Sequence, residues 1–426
     1  MFAILQRALR KVVRTGNLVA VSPSGTPVRV GDGNGEEVRF RITSQAWAAR
    51  IVLHPDLYLG EAWMEGGLVM ERGTIYDLLL LLMKNVRNGH MTAGVRIPAL
   101  LRRIGRRLQQ LNRRARARRN VAHHYDLDGR LYDLFLDRDL QYSCAYFETS
   151  DASLREAQLA KKRHLAAKLL VRPGMRVLDI GCGWGGLALY LAEVCGARVT
   201  GVTLSAEQHD VARSRARQRG LEDRVEFLLK DYRDVEGTFD RIVSVGMFEH
   251  VGIGHYPEFF AKVRDLLAAD GVALLHSINR SDGPGVTSAW IDRYIFPGGY
   301  FPAMSEVLPA IEREGLIVSD IEILRLHYAE TLREWRRRFV SQWDRAKALY
   351  DERFCRMWEF YLAGSEVMFR TGFMNNFQIQ MVKDQMAVPL TRDYIGEEEE
   401  RLRRIDSARR HLSSVPRHSG TAGRGG

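Results

Sequence analysis

Apolar positions along this chain follow two periods, and the change from one to the other divides it. Near the N-terminus, residues 28–30, 38–42 and 51–53 are short apolar segments separated by Gly, Asp and Pro. They predict the strands of a small sheet, and an apolar run near 75–83 predicts a helix after it. Beyond about residue 121, strand-like and helix-period segments alternate, as in a parallel doubly wound sheet. The predicted strands are 176–180, 198–203, 225–230, 239–245, 272–278 and 317–326. Helices fill the gaps. One is predicted over 205–218, with Ser205 as N-cap and Gln208 as its partner in a capping box.

Between the two patterns lies a one-sided stretch. Ile97, Leu101, Ile104, Leu108, Leu111 and Ala115 recur at spacings of four and three, a narrow apolar stripe on a helix. Its other faces carry Arg102, Arg103, Arg106, Arg107, Arg113, Arg114, Arg116, Arg118 and Arg119, and no acid falls between Leu78 and Tyr125. A solvated helix, a nucleic-acid surface and a membrane-surface helix all fit the charge. Only the last uses both faces, and it is the reading favoured here. The stretch after about 405 is rich in Arg, Ser and Gly and is expected to be a disordered basic tail. The expected division is an N-terminal membrane-associated module with its basic linker (1–120), a catalytic domain (121–395) and the tail (405–426).

Composition narrows this picture. A chain of 426 residues with 46% hydrophobic and 27% charged residues suits two globular domains. Lys and Arg outnumber Asp and Glu by 63 to 52, a net +11 that suggests an anionic partner. The four cysteines (Cys144, Cys182, Cys195, Cys355) show no C-x-x-C spacing. No metal site and no disulfide is expected, and a reduced, cytoplasmic setting fits. Residues 1–14 lack a signal-peptide core. The longest apolar run, 78–83, is far short of the roughly 20 residues of a spanning helix, so any membrane contact is expected to be peripheral.

The strongest motif is Val177-Leu178-Asp179-Ile180-Gly181-Cys182-Gly183-Trp184-Gly185-Gly186, a strand entering a Gly-rich turn and then a helix. Such turns let the backbone approach a ligand, and the helix start offers N–H groups. The glycine spacing alone also admits a nicotinamide cofactor. Asp179 shifts the balance, because an acid beside the ligand suits an amine-bearing group better than a pyrophosphate. The D-x-G-x-G form resembles motif I of the class I S-adenosylmethionine methyltransferases. The second strand lacks that class's usual terminal acid. Thr203 and Gln208 are the expected ribose partners instead, Glu207 being expected to face solvent, and Tyr232 lies where the adenine is held.

Further motifs narrow the resemblance. They are His124-Tyr125-Asp126, Gln141-Tyr142-Ser143-Cys144-Ala145-Tyr146-Phe147, Thr203-Leu204-Ser205 with Gln208, Glu249-His250-Val251-Gly252, Tyr294-Ile295-Phe296-Pro297-Gly298-Gly299 and His327-Tyr328-Ala329-Glu330-Thr331-Leu332. Together they resemble the cyclopropane-fatty-acyl-phospholipid synthases and mycolic acid cyclopropane synthases, over about residues 123–380. The resemblance implies a Rossmann-like α/β methyltransferase sheet with a smaller N-terminal α+β module. It implies S-adenosylmethionine as one-carbon donor to the cis double bond of phospholipid acyl chains, and a bound bicarbonate as base. Carried over residue by residue, Cys144, Glu249, His276, Tyr328 and the backbone at Ile278 would surround the bicarbonate. Tyr142, Ser143, Asp179, Gly181 and Gly183 would touch the cofactor. A methyl-branched or methylene product is the nearest alternative.

Ser365 stands where the family often has Cys, and is left out of the catalytic set. Trp290, Tyr294, Phe296, Tyr300 and Phe301 fit either a packed core or the wall of an acyl tunnel. No base-stacking motif such as N-P-P-Y follows the fourth strand, which argues against an RNA methyltransferase. A non-catalytic lipid-binding protein is the third class. The expected partners are a phospholipid bilayer with an anionic surface at the inner membrane face, and no nucleic acid. A homodimer is left open.

Overall fold

The computed structural model describes residues 1–87 and 129–414. The Arg-rich stripe of 97–119 and the His124-Tyr125-Asp126 motif lie outside the described residues.

The N-terminal part builds a four-stranded sheet from β1 (Asn17–Val21), β2 (Pro27–Val30), β3 (Glu37–Ile42) and β4 (Leu68–Arg72), in the order β2-β1-β3-β4. Segment 51–53, expected as a strand, closes the helix Gln45–Leu53 instead, whose Ser44 side chain caps Trp47 N–H. The three apolar residues 51–53 are too short a run to show a period. Ala48 and Ile51, three apart, are the helix's buried pair, and they fix its face. The expected helix near 75–83 runs over Ile75–Arg87.

The second sheet has seven strands: β5 (Arg176–Ile180), β6 (Arg198–Thr203), β7 (Val225–Leu229), β8 (Phe239–Val245), β9 (Leu267–Arg280), β10 (Ile317–Ile323) and β11 (Met374–Val382). The order is β10-β11-β9-β8-β5-β6-β7. β7, β6, β5, β8 and β9 run parallel, while β11 is antiparallel to both of its neighbours. The sequence reading missed β11. Its register puts Asn376, Gln378 and Gln380 in alternation with Phe377, Ile379 and Met381, and both sets are buried. The chain leaves β5 toward β6 on one side and β8 on the other, and ligands bind at the carboxyl ends beside such a reversal.

The N-terminal module shares its core with the large domain. Ala363 and Val367 of the helix Glu352–Arg370 sit in the module's apolar cluster. Trp63 Nε1 donates to the Arg356 carbonyl at 3.1 Å, and Trp290 Nε1 to Met64 Sδ at 3.3 Å. The helix Asp393–Ser414 carries the chain past residue 405, where the tail was expected to begin. Its first turns are anchored, with Glu398 paired to Arg172 and Glu399 to His164. Among the described residues no helix is long and apolar enough to cross a membrane.

Candidate active site

β5 delivers Asp179 to the sheet's carboxyl edge, and the Gly-rich turn carries the chain into the helix Gly186–Glu193. Gly181 has φ +83°, and a Cβ there would lie 2.7 Å from the Cβ of Met247, so both backbone and neighbour demand glycine. The turn, the ends of β5, β6 and β8, and the segment 140–143 enclose a cavity of about 1210 Å³, open mouth included. Tyr142, Ser143, Asp179, Gly181, Gly183, Thr203, Gln208 and Tyr232 all line it.

Asp179 is buried, and its Oδ2 accepts no hydrogen bond. Burial pushes its carboxyl up to about 7, partly opposed by the Lys161 ammonium. A buried oxygen without a donor is costly unless a ligand supplies one. The Thr203 hydroxyl donates to Gln208 Oε1 at 3.0 Å, and Gln208 N–H donates to Ser205 Oγ at 3.3 Å. The expected capping box is therefore half formed: Ser205 caps, while the Gln208 side chain turns to Thr203. Glu207 is half-buried rather than solvent-facing, because its carboxylate accepts the indole N–H of Trp184 at 3.1 Å. Asp231, beside Tyr232, is held by the Arg233 guanidinium at 2.7 Å.

A second cavity of about 510 Å³ adjoins the first, sharing Tyr142, Ser143, Gly246 and His250. It brings together Cys144, Glu249, His276, Ile278 and Tyr328, which lie far apart in the chain. Its remaining walls include Phe296, Phe301, Tyr361 and Asn376. Glu249 Oε1 accepts the Ile278 N–H at 2.7 Å, while its buried Oε2 accepts none. Burial raises the Glu249 carboxyl above its usual range, against the pull of that N–H. The Ile278 amide is thus engaged by Glu249 rather than turned to an anion.

His276 lies within β9, pairing with Val245 and Gln378 across the sheet. Burial pushes it down to about 3, so the ring is neutral. Its Nδ1 meets the Gln378 amide at 3.2 Å and its Nε2 the Asn376 amide at 3.1 Å. A neutral imidazole has one N–H and one lone pair, so one of these amides presents oxygen and the other N–H. These two amides set the ring's orientation.

Tyr328 sits in the first turn of the helix His327–Ser341, where its ring packs on Phe369 and Trp335. Burial also raises the Cys144 thiol, which donates to the Ala145 carbonyl at 3.3 Å. The Tyr142 and Tyr361 hydroxyls are 3.0 Å apart. Of the five aromatics with two open readings, Phe296 and Phe301 face the cavity. Trp290, Tyr294 and Tyr300 engage Met64, Glu61 and Glu306, a packing role. Ser365 lines neither cavity.

Sequence reasoning missed Lys161, His250, Asn376, Gln378 and Tyr361. For Asn376 and Gln378, the alternation in 374–382 was the available signal.

A parallel sheet reversing at β5, with an unpartnered buried acid beside a Gly-rich turn, defines an S-adenosylmethionine-dependent methyltransferase. The comparisons carry this further. The mycolic acid cyclopropane synthetase family profile matches residues 112–379, more than half of the chain, and the chain belongs to that family. It is 38% identical over 342 residues to the cyclopropane-fatty-acyl-phospholipid synthase of Escherichia coli, spanning 80% of this chain and 86% of that one. It is 43% identical over 271 residues to a probable fatty acid methyltransferase of Pseudomonas putida, covering 62% and 68%. The solved mycolic acid cyclopropane synthase CmaA1, complexed with SAH and CTAB, superposes with a TM-score of 0.59 at 35% identity, covering 62% and 97%.

Proposed function

We propose that this enzyme transfers a one-carbon unit from S-adenosylmethionine across the cis double bond of unsaturated phospholipid acyl chains, closing a cyclopropane ring. The observation that carries this reading is the pair of joined cavities. One offers an unpartnered acid at a methyltransferase turn; the other is aromatic-walled, with one unpartnered carboxyl oxygen. S-adenosylhomocysteine and a proton leave as products.

An isolated alkene is a weak nucleophile, so its alignment and desolvation supply much of the rate. Phe296, Phe301 and Tyr361 wall the second cavity, and Tyr142, Ser143, Gly246 and His250 form the junction through which the alkene meets the methyl group. Ring closure needs a base beside a developing cation. His276 is held by two amides, Cys144 and Tyr328 are poor bases at neutral pH, and Glu249 spends one oxygen on Ile278. The unpartnered Glu249 Oε2, in a cavity also lined by Tyr328 and Cys144, fits a small anion that both donates and accepts. Bicarbonate, when bound, supplies the proton acceptor there. Carbonate-depleted buffer is expected to lower turnover, and bicarbonate at constant pH to restore it. Unchanged turnover would pass proton abstraction to Glu249.

The basic stretch 97–119 supports action at an anionic membrane surface on the cytoplasmic side. Replacing Arg106, Arg107, Arg113 and Arg114 by Gln is expected to weaken association with anionic vesicles and leave cofactor affinity intact. The effect should shrink at high salt, since exposed charges are screened beyond about 10 Å at 0.1 M. Lipid mass spectrometry from an expressing host tests the chemistry directly. Unsaturated phospholipids should gain one CH2 and lose their reaction with an olefin-specific reagent. A methyl branch or methylene group would keep the cofactor assignment and change the product.

A further inference from the structure

One charged group in the cofactor cavity has no part in the steps above. Lys161, in the helix Leu154–Lys168, is 1% exposed and lines that cavity. Its Nζ donates to Gln141 Oε1 at 2.6 Å and to Ser143 Oγ at 2.8 Å, both neutral acceptors. Among the described residues no carboxylate is in ion-pair contact with it, and the Asp137 and Asp139 carboxyls favour its charge only from farther off. A buried ammonium in that position is costly unless something anionic completes its shell. An ammonium carries three donors, and two are taken. Asp179 lines the same cavity, with its own buried oxygen unpartnered. The two are close enough that Lys161 counters the effect of burial on the Asp179 carboxyl.

A ligand that ends in an amino acid is a zwitterion. It needs an anion and a cation side by side, both shielded from water and both with hydrogen-bonding capacity to spare. We infer that Lys161 and Asp179 together read the methionine end of the cofactor: Asp179 takes the α-ammonium, and Lys161, with the Ser143 hydroxyl, takes the α-carboxylate. This rests on the assignment of the first cavity to S-adenosylmethionine. It adds a cofactor-binding residue from outside the Gly-rich turn, and it makes the carboxylate a required feature of the ligand. Gln141 holds the ammonium in place. Its own position against the turn is tight, since a Cβ on Gly186 would lie 2.1 Å from Gln141 Nε2.

Calorimetric titration with two probes tests this: S-adenosylhomocysteine, and S-adenosyl-3-thiopropylamine, which lacks only the carboxylate. The wild-type protein should prefer the first by about tenfold to a hundredfold, the range of a hydrogen bond to a charged group. Lys161→Met should bring the ratio near one by weakening S-adenosylhomocysteine alone. Equal wild-type affinity for the two probes overturns the inference without any variant. A Lys161→Met protein that weakens both probes equally overturns it too, leaving the lysine to brace Gln141 and Ser143. Should that variant fail to fold by circular dichroism, Ser143→Ala replaces it. A severalfold fall in the ratio supports the inference, and an unchanged ratio overturns it. Wild-type protein that binds neither probe removes the cofactor assignment itself, a separate result.

Discussion

The two cavities share four wall residues and follow opposite electrostatic plans. The first buries two ionisable groups of opposite sign, Asp179 with an unpartnered oxygen and Lys161 on neutral acceptors alone, and so suits a charged, doubly functional ligand. The second disfavours charge on its ionisable groups: burial pushes His276 down, and pushes the Glu249 carboxyl and Cys144 thiol up. A cation forming on a hydrocarbon chain gains from neutral, aromatic surroundings that exclude water, whereas fixed charge at the cofactor's far end buys affinity without touching the reacting atoms. On the proposed function, binding and chemistry are separated in space, so variants should affect one and spare the other.

The largest effect should come from Asp179→Ala. It leaves the cofactor's ammonium without its counter-charge and should weaken S-adenosylhomocysteine by roughly a hundredfold or more, measured by calorimetry. Gly181→Val should also abolish binding, though its φ of +83° makes strain part of that loss. Undiminished affinity in both variants would break the comparison at its first half.

Next come Glu249→Gln and His276→Ala, each expected to lower kcat by on the order of a hundredfold while cofactor affinity changes little. A matching loss of affinity would mean that the cavities are not separate in function.

The pH dependence sharpens the contrast with a smaller effect. Below about pH 7 the Asp179 carboxyl is protonated in the free protein and must lose that proton to meet an ammonium. Affinity for S-adenosylhomocysteine should therefore fall by about tenfold per pH unit below that point. Above about pH 8 Lys161 loses its charge, and affinity should fall again. Because folding raises the Asp179 pKa from 3.8 to about 7, the ligand-free protein should lose stability as pH rises across that window. Bound cofactor should offset the loss, and melting curves with and without ligand will report it. The smallest change should be Gln208→Ala, which removes one neutral partner and should weaken binding by about tenfold or less.

How legible each cavity was follows from how it is assembled. The first grows largely from one continuous strand–turn–helix, so Asp179, Gly181 and Gly183 could be read directly from spacing. Thr203 and Gln208 follow one strand later in the same order. The second draws on residues from 144 to 376, and no period or spacing links them. Its members came from motif resemblance, and none of the motifs reached Asn376 and Gln378, although the alternation along their strand was a signal for it.

The sequence by itself determined the alternation that makes the parallel sheet, the Gly-rich turn with its acid, and the set of motifs that marks the family. These are local patterns, and local backbone preference is enough to express them. Only the tertiary structure decided that segment 51–53 is helical, that His276 is neutral and held by two amides, that Glu249 binds the Ile278 N–H, and that Lys161 lines the same cavity as Asp179. Each depends on burial and on partners distant in the chain. The energy of a buried polar group is set by what surrounds it, and residue order alone does not specify those surroundings.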